Sequence, residues 1–386
     1  MKRFNYFSSI LMMVSFSMAF TACNKNGTTP DGPGAEDLSG IVTEDLVLEA
    51  NQTYYLSGSL QVKAPATLTI REGARLVARN NGEVIYILIE QGAKIDAQGT
   101  AQNPVVMTAE KESEGAWGGL HICGKAHTNL GAEGGMSEIG NAPYGGNDDD
   151  DNSGILRYVR LEYTGYAFDS EHESNGISLY GVGSGTTISY VQTYVGSDDG
   201  IEFFGGSVNV DHCVVVNCTD DSFDWTEGWN GTAHHLVAYQ SDPTCDCLME
   251  CDNNGDNETA EPFSHPDLSY VTLIGNGSEE NSRGIRLRAG TEVSLDNAVI
   301  TGKPHTINVE TAHTQSSLAD GTSVLTNITM TGDFRNENES ASYDSDDFLA
   351  ATGNSIVESV EVSDRFYTPG KGAFETSSNW TSGWTR

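Results

Sequence analysis

The chain has 386 residues, of which 43 are glycine and only 19% are charged. Acids outnumber bases 55 to 20, for a formal net charge of −35, which excludes charge-driven binding to nucleic acid or to anionic lipid headgroups. That much glycine, with scarce helical periodicity, also excludes a helical bundle.

The first 22 residues read as an export segment: Lys2 and Arg3 precede an apolar run, Ile10 to Phe20, too short to span a bilayer comfortably. Phe20-Thr21-Ala22-Cys23 resembles the lipobox of bacterial lipoproteins. The resemblance implies cleavage before Cys23 and lipidation there, so that acyl chains hold the protein on a membrane without a spanning helix. Cleavage would take the net charge from −35 to −37, since residues 1–22 hold two cations and no acid. Residues 23–45 are expected to be a flexible tether, beginning with a stretch rich in Gly, Pro, Thr and Asn. The expected location is the cell envelope, the outer membrane if the source is Gram-negative, with surface or periplasmic display left open.

From residue 46 to 386 the pattern is strand alternation punctuated by turns. Leu68 to Leu76 matches Ile87 to Ile95, 19 residues later. Ile188 to Gly206 matches Val210 to Gly228 with a shift of 22 residues, setting Val191 on Cys213, Asp198-Asp199 on Asp220-Asp221, and Phe203 on Trp225. Leu156, Ile188 and Leu268 open similar units, and Gly176, Gly200 and Gly284 each start the strand after a bend. A fixed period of this length predicts a solenoid in which equivalent residues stack on successive coils, an all-β, single-stranded parallel β-helix. Insertions interrupt it at 110–152, 244–265 and 333–348, the second carrying a cysteine cluster. Trp380 and Trp384 are expected to cap the last coil, whose open edge needs cover.

After Cys23 six cysteines remain: Cys123, Cys213, Cys218, Cys245, Cys247 and Cys251. An even number in an exported chain favours disulfides, with the pairing open. A competing reading makes Cys245, Cys247 and Cys251, with His234, His235 or His265, zinc ligands.

Asn103-Pro104-Val105-Val106, Trp117-Gly118-Gly119-Leu120, Tyr144-Gly145-Gly146, Asp151-Asn152-Ser153-Gly154, Tyr158 to Tyr163 and Asp198 to Gly206 occur in that order. As a set they resemble a family of exported bacterial right-handed β-helix proteins, often lipoproteins, of pectin-lyase-like architecture. The resemblance spans about residues 65–386, and Asn379 to Thr385 looks like that family's ending. It implies a right-handed β-helix and export, and brings no catalytic residues with it.

Three chemistries compete for the acidic and aromatic positions. Pectin-degrading β-helix hydrolases carry an Asp, an Asp pair, a His and Arg-x-Lys in order. Here Asp198, Asp199, Asp220, Asp221 and Arg286 are the corresponding catalytic candidates, although Gly-His-Gly is missing and Arg288 replaces the Lys. Stacked one coil apart, about 4.8 Å, such carboxyls would approach glycosidase spacings. The same Asp pairs would equally serve as corner residues that accept turn amides, and that reading is preferred. Calcium is the second possibility, at Asp252, Asp256 and Glu258 or at Asp148 and Asp150, which offer hard oxygen donors at short spacing. The third is glycan or envelope-protein binding without chemistry. Its candidates are Trp229, Tyr194, Phe204 and Asp224, with Trp229 expected in an exposed glycine-flanked turn and Phe203 and Trp225 expected to stack inside. No nucleotide loop, nucleophile elbow or cofactor motif is present, so no cofactor is required, and calcium is the one ion considered for these positions. A non-catalytic binding module ranks first and a polysaccharide-degrading hydrolase or lyase second.

Overall fold

The computed structural model describes residues 36–166, 174–338 and 342–386. Cys23, the export segment and residues 23–35 lie outside them. Strand Glu36–Val42 pairs in parallel with Thr53–Val62, so the solenoid begins inside the expected tether and ahead of residue 46.

From Leu120 onward each coil carries a short strand and a long one. The short strands, Leu120–Cys123, Ile177–Tyr180, Ile201–Phe204, Phe223–Thr226, Met249–Cys251, Arg283–Leu287 and His305–Val309, pair in parallel in that order and form the first face. The long strands, Gly154–Glu162, Thr187–Gly196, Asn209–Cys218, Thr232–Tyr239, Asp267–Ile274 and Ser294–Thr301, do the same. Each long strand bends to serve two faces, because Gly154–Glu162 pairs with two separate strands of an earlier coil, Lys94–Gln98 and Val105–Ala109. The section is therefore three-sided, a parallel β-helix.

Alternation sets what lies inside. Ile201 and Phe203 point inward, as do Phe223 and Trp225 directly above them. Ile188 pairs with Val210 and Val191 with Cys213, in the register the repeat requires. Burying each large apolar side chain contributes about 1.5–3 kcal/mol, and stacking equivalent residues lets every coil cover the next. The far end is closed by helix Ser345–Ala350, whose Phe348 is buried against Phe334 and Tyr343, and not by the C-terminal tryptophans.

The bend in the long strands is a column of left-handed residues. Tyr158, Tyr190, His212, His235, Tyr270, Asn297 and Asn327 all have φ between 49° and 59°. A second column holds Val195 and Asn217 at φ 57° and 52°. A β-branched residue is poorly suited to that conformation, which costs roughly 1–2 kcal/mol for most side chains and less for Asn. Val195→Asn is therefore expected to stabilise the fold by about 1 kcal/mol, measurable as a raised urea midpoint.

The C-terminal segment returns along the flank instead of capping the stack. Phe366, Ala373, Phe374 and Trp384 bury Val214, Val216 and Val237 on the outside of the long strands. Arg386 is tied to Gln192, whose side-chain oxygen accepts from its amide at 2.8 Å, and to buried Glu162 at 2.9 Å. Trp380 and Trp384 thus strap the middle coils.

Candidate functional site

Outward residues of the first face form one line in register: Ser178, Glu202, Asp224, Glu250, Arg286 and Asn308. Beside it, at the corner that leads into this face, lie Asp198-Asp199, Asp220-Asp221 and Asp246-Cys247. Coil stacking merges these into overlapping groups whose ligand atoms lie within 4.8 Å of one another: Asp198, Asp199 and Asp220; Asp199, Glu202 and Asp224; Asp220, Asp221 and Asp246; Asp221, Cys247 and Glu250.

The corner carboxylates have fixed tasks. Asp199 Oδ1 accepts from the Asp221 amide at 2.8 Å, and Asp221 Oδ1 accepts from the Cys247 amide at 2.6 Å. Each therefore satisfies a backbone donor of the next coil, which is the corner role the sequence suggested. Arg286 does not reach toward the Asp pairs. It lies between Glu250, 2.6 Å from Nη1, and Glu310, 2.6 Å from Nε. Burial opposes its charge, but these two carboxylates outweigh it and hold its pKa above the usual range. Arg288 completes the network with Glu250 at 2.7 Å and Asp252 at 3.0 Å.

Burial, reinforced by the neighbouring negative charges, pushes Asp199, Glu202, Asp221 and Asp224 well above ordinary carboxyl values. Burial also raises Glu227 and Asp252 to about 7, against the lowering effects of Tyr144 and Arg288 respectively. Asp224 Oδ1 is a buried acceptor without a hydrogen-bond partner. Between the unfolded pKa, about 4, and the raised folded values, the native state holds more protons than the unfolded one. Stability from these groups therefore falls as pH rises through that window. The melting temperature is expected to be higher at pH 5 than at pH 8, and Asp224→Asn should flatten the slope. An unchanged slope in that variant would show that Asp224 is ionised throughout.

The other expected sites fall elsewhere. Asp256, Glu258, Asp148 and Asp150 are exposed, Asp252 pairs with Arg288, and none of the five joins a convergent group of three ligands among the described residues. Trp229 is buried, 1% exposed, with its ring stacked on Phe203 at 3.9 Å and its Nε1 donating to the Val208 carbonyl. The flanking glycines produce not an exposed turn but a tight one that folds the indole inward. Phe204 is covered too, stacked on Tyr180 at 4.4 Å beneath Ile139, Ala142 and Tyr144 of the first insertion. Tyr194 is half-buried beside Tyr163 and the Arg386 guanidinium. Of the expected binding residues only Asp224 lies in the acidic line.

The cysteine expectations are overturned as well. Cys123, Cys213, Cys218, Cys245, Cys247 and Cys251 are all buried free thiols. Cys213, Cys218 and Cys251 sit in the main core, where a thiol packs as a small apolar group. Burial pushes Cys123, Cys213, Cys218 and Cys245 up to about 12, so they are unreactive at neutral pH. No group of cysteine and histidine converges among the described residues, and the three histidines proposed for zinc have other partners: Ser269 for His234, Asp211 for His235, Glu292 for His265.

One site escaped the sequence reading. In the left-handed column Tyr158, Tyr190, His212 and His235 stack with centroids 4.2–4.4 Å apart, and Tyr270 continues the stack at 5.1 Å. From Tyr190 to Tyr270 the column forms one wall of a groove of about 710 Å³, and residues of the C-terminal strap between Gly370 and Trp380 form the other. Asp211 bridges the two histidines, 2.8 Å from His212 Nδ1 and 3.0 Å from His235 Nδ1. Burial alone would raise its pKa, but these two hydrogen bonds dominate and hold it below the usual range. The stacked rings aim their Nδ1 atoms side by side, so one metal ion could not lie in both ring planes. The sequence signal was the aromatic or histidine two places after Ile188, Val210 and Ala233, legible only once the bend was known.

A family profile described as a pectate-lyase-like beta helix domain matches residues 40–385. The chain belongs to this family. No curated protein and no solved structure is significantly similar to it. Membership in the pectate-lyase-like β-helix family accounts for the stacked coils and by itself names no reaction.

Proposed function

We infer that this β-helix is a non-catalytic recognition module of the cell envelope, anchored through Cys23 and binding a glycan or an envelope protein. The observation that supports it most is that Asp199, Asp221 and Arg286, three of the candidate catalytic residues, are already engaged. Asp199 and Asp221 each accept a corner amide, and both ends of the Arg286 guanidinium are held by carboxylates. A general acid or base must be free to meet substrate protons. The competing reading, a polysaccharide hydrolase or lyase, draws on the raised Asp224 carboxyl and its unpartnered oxygen.

Affinity electrophoresis through gels cast with polysaccharides tests the reading. Wild type should be retarded by at least one, and Asp199→Asn and Asp221→Asn should be retarded equally. Weakened retardation in these variants, with product released by the wild type, would favour the enzyme.

Calcium belongs to the same proposal, at the acidic groups of the first face instead of the two loops. Clustered carboxylates with raised pKa values favour a divalent cation that replaces their protons, and oxygen donors suit calcium. Millimolar calcium should raise the melting temperature at pH 8 and chelator should not; equal melting in both would remove the ion. Cys23→Ala should move the protein from the detergent phase to the aqueous phase in detergent partitioning. Unchanged partitioning would contradict the anchor.

A further inference from the structure

The aromatic column stops before the groove does. His235 covers one face of Tyr270 at an interplanar angle of 9°, and among the described residues no ring covers the other. The position that follows Tyr270 is Asn297, set between the paired residues Ser269 and Asp296 on one side and Val271 and Ala298 on the other. Its rung lies about 4.8 Å on, and its short side chain leaves most of that rung unfilled. Tyr270 is 45% exposed, more than any other aromatic side chain among the described residues.

An open ring face in a concave site favours a flat, weakly polar surface. The surrounding rim favours hydroxyls: the Asn297 amide, the Glu375 carboxylate and the Thr376 and Ser378 hydroxyls all line the groove. A pyranose has both parts, a C–H face and a rim of hydroxyls. Among the described residues no Lys or Arg lines the groove, Glu375 does, and the chain carries a net charge of −35. Uronate, sulfate and phosphate are therefore repelled.

We propose that the groove binds the terminal sugar of a neutral glycan, stacked on the open face of Tyr270 as the sixth rung of the column. This rests on the recognition-module reading and names its ligand class. It places binding at the bend of the long strands, away from the acidic first face.

Isothermal titration calorimetry of the full mature chain tests it, with short gluco-, manno-, galacto- and xylo-oligosaccharides and with oligogalacturonate as the acidic control. At least one neutral series should bind. Tyr270→Ala should weaken that binding tenfold or more, and Tyr270→Phe and Tyr270→Trp should keep it. Melting should be unchanged in Tyr270→Phe and Tyr270→Trp and fall only slightly in Tyr270→Ala, which loses the single stacked face on His235. Binding that survives Tyr270→Ala would overturn the groove and leave the module reading intact. Binding of oligogalacturonate alone, or of no sugar, would also overturn it. Cleavage of any sugar would overturn the module reading instead.

Discussion

Trp229→Ala is expected to destabilise the fold by about 3–5 kcal/mol, the cost of truncating a buried Trp. The indole is stacked on Phe203, lies 5.8 Å from the Trp225 ring, and supplies the donor for the Val208 carbonyl. Removing it opens a cavity in the core and leaves a buried acceptor without its partner. Trp229→Phe keeps much of the packing and should cost less. Urea denaturation followed by circular dichroism measures both. A surface tryptophan would give an unchanged midpoint and a loss of ligand instead, so the two placements predict opposite results.

The second large effect belongs to Trp384. It is 1% exposed, packs with Val214, Val216 and Val237, and meets Tyr158 and Tyr190 edge-on at 5.7 and 6.1 Å. Its carbonyl accepts from Arg160 at 3.2 Å. Trp384→Ala should remove about 3–5 kcal/mol of local stability. The strap is a terminal segment, so the loss should appear as its release before the coils unfold. Limited proteolysis should then remove the segment that begins near Phe366 from the variant and spare it in wild type. Equal resistance would mean that Arg386 and Phe374 hold the strap alone. Since residues of the strap between Gly370 and Trp380 wall the aromatic groove, its release should also weaken the glycan binding proposed there.

How much of this was legible before the structure depended on whether a residue acts along the repeat or across it. The pairing of Ile188 with Val210 and of Phe203 with Trp225 follows from period alone, since a solenoid places equivalent residues one above the other. The corner role of Asp199 and Asp221 was legible for the same reason. Glu202 and Glu250 share a register line with Asp224, but alternation marks them only as outward-facing. Packing across the repeat was not legible. The first insertion covers Phe204, the C-terminal strap covers Val214 and Val237, and a tight turn buries Trp229; none of these leaves a periodic trace. The six thiols misled because chemistry by compartment said disulfide, while their inward positions made them packing groups. The aromatic column was hidden by its backbone: a left-handed residue breaks strand alternation, so Tyr190 and His212 read as interruptions instead of rungs.

In the proposed function the acidic first face is structural, and the ligand is recognised without being cleaved. The direct measurement is product formation: prolonged incubation of the mature chain with a broad polysaccharide panel, with and without calcium, following reducing ends and unsaturated-uronate absorbance. No product above the protein-free blank is expected on any polysaccharide, including those that are bound. Product released by the wild type and abolished by Asp224→Asn would contradict it.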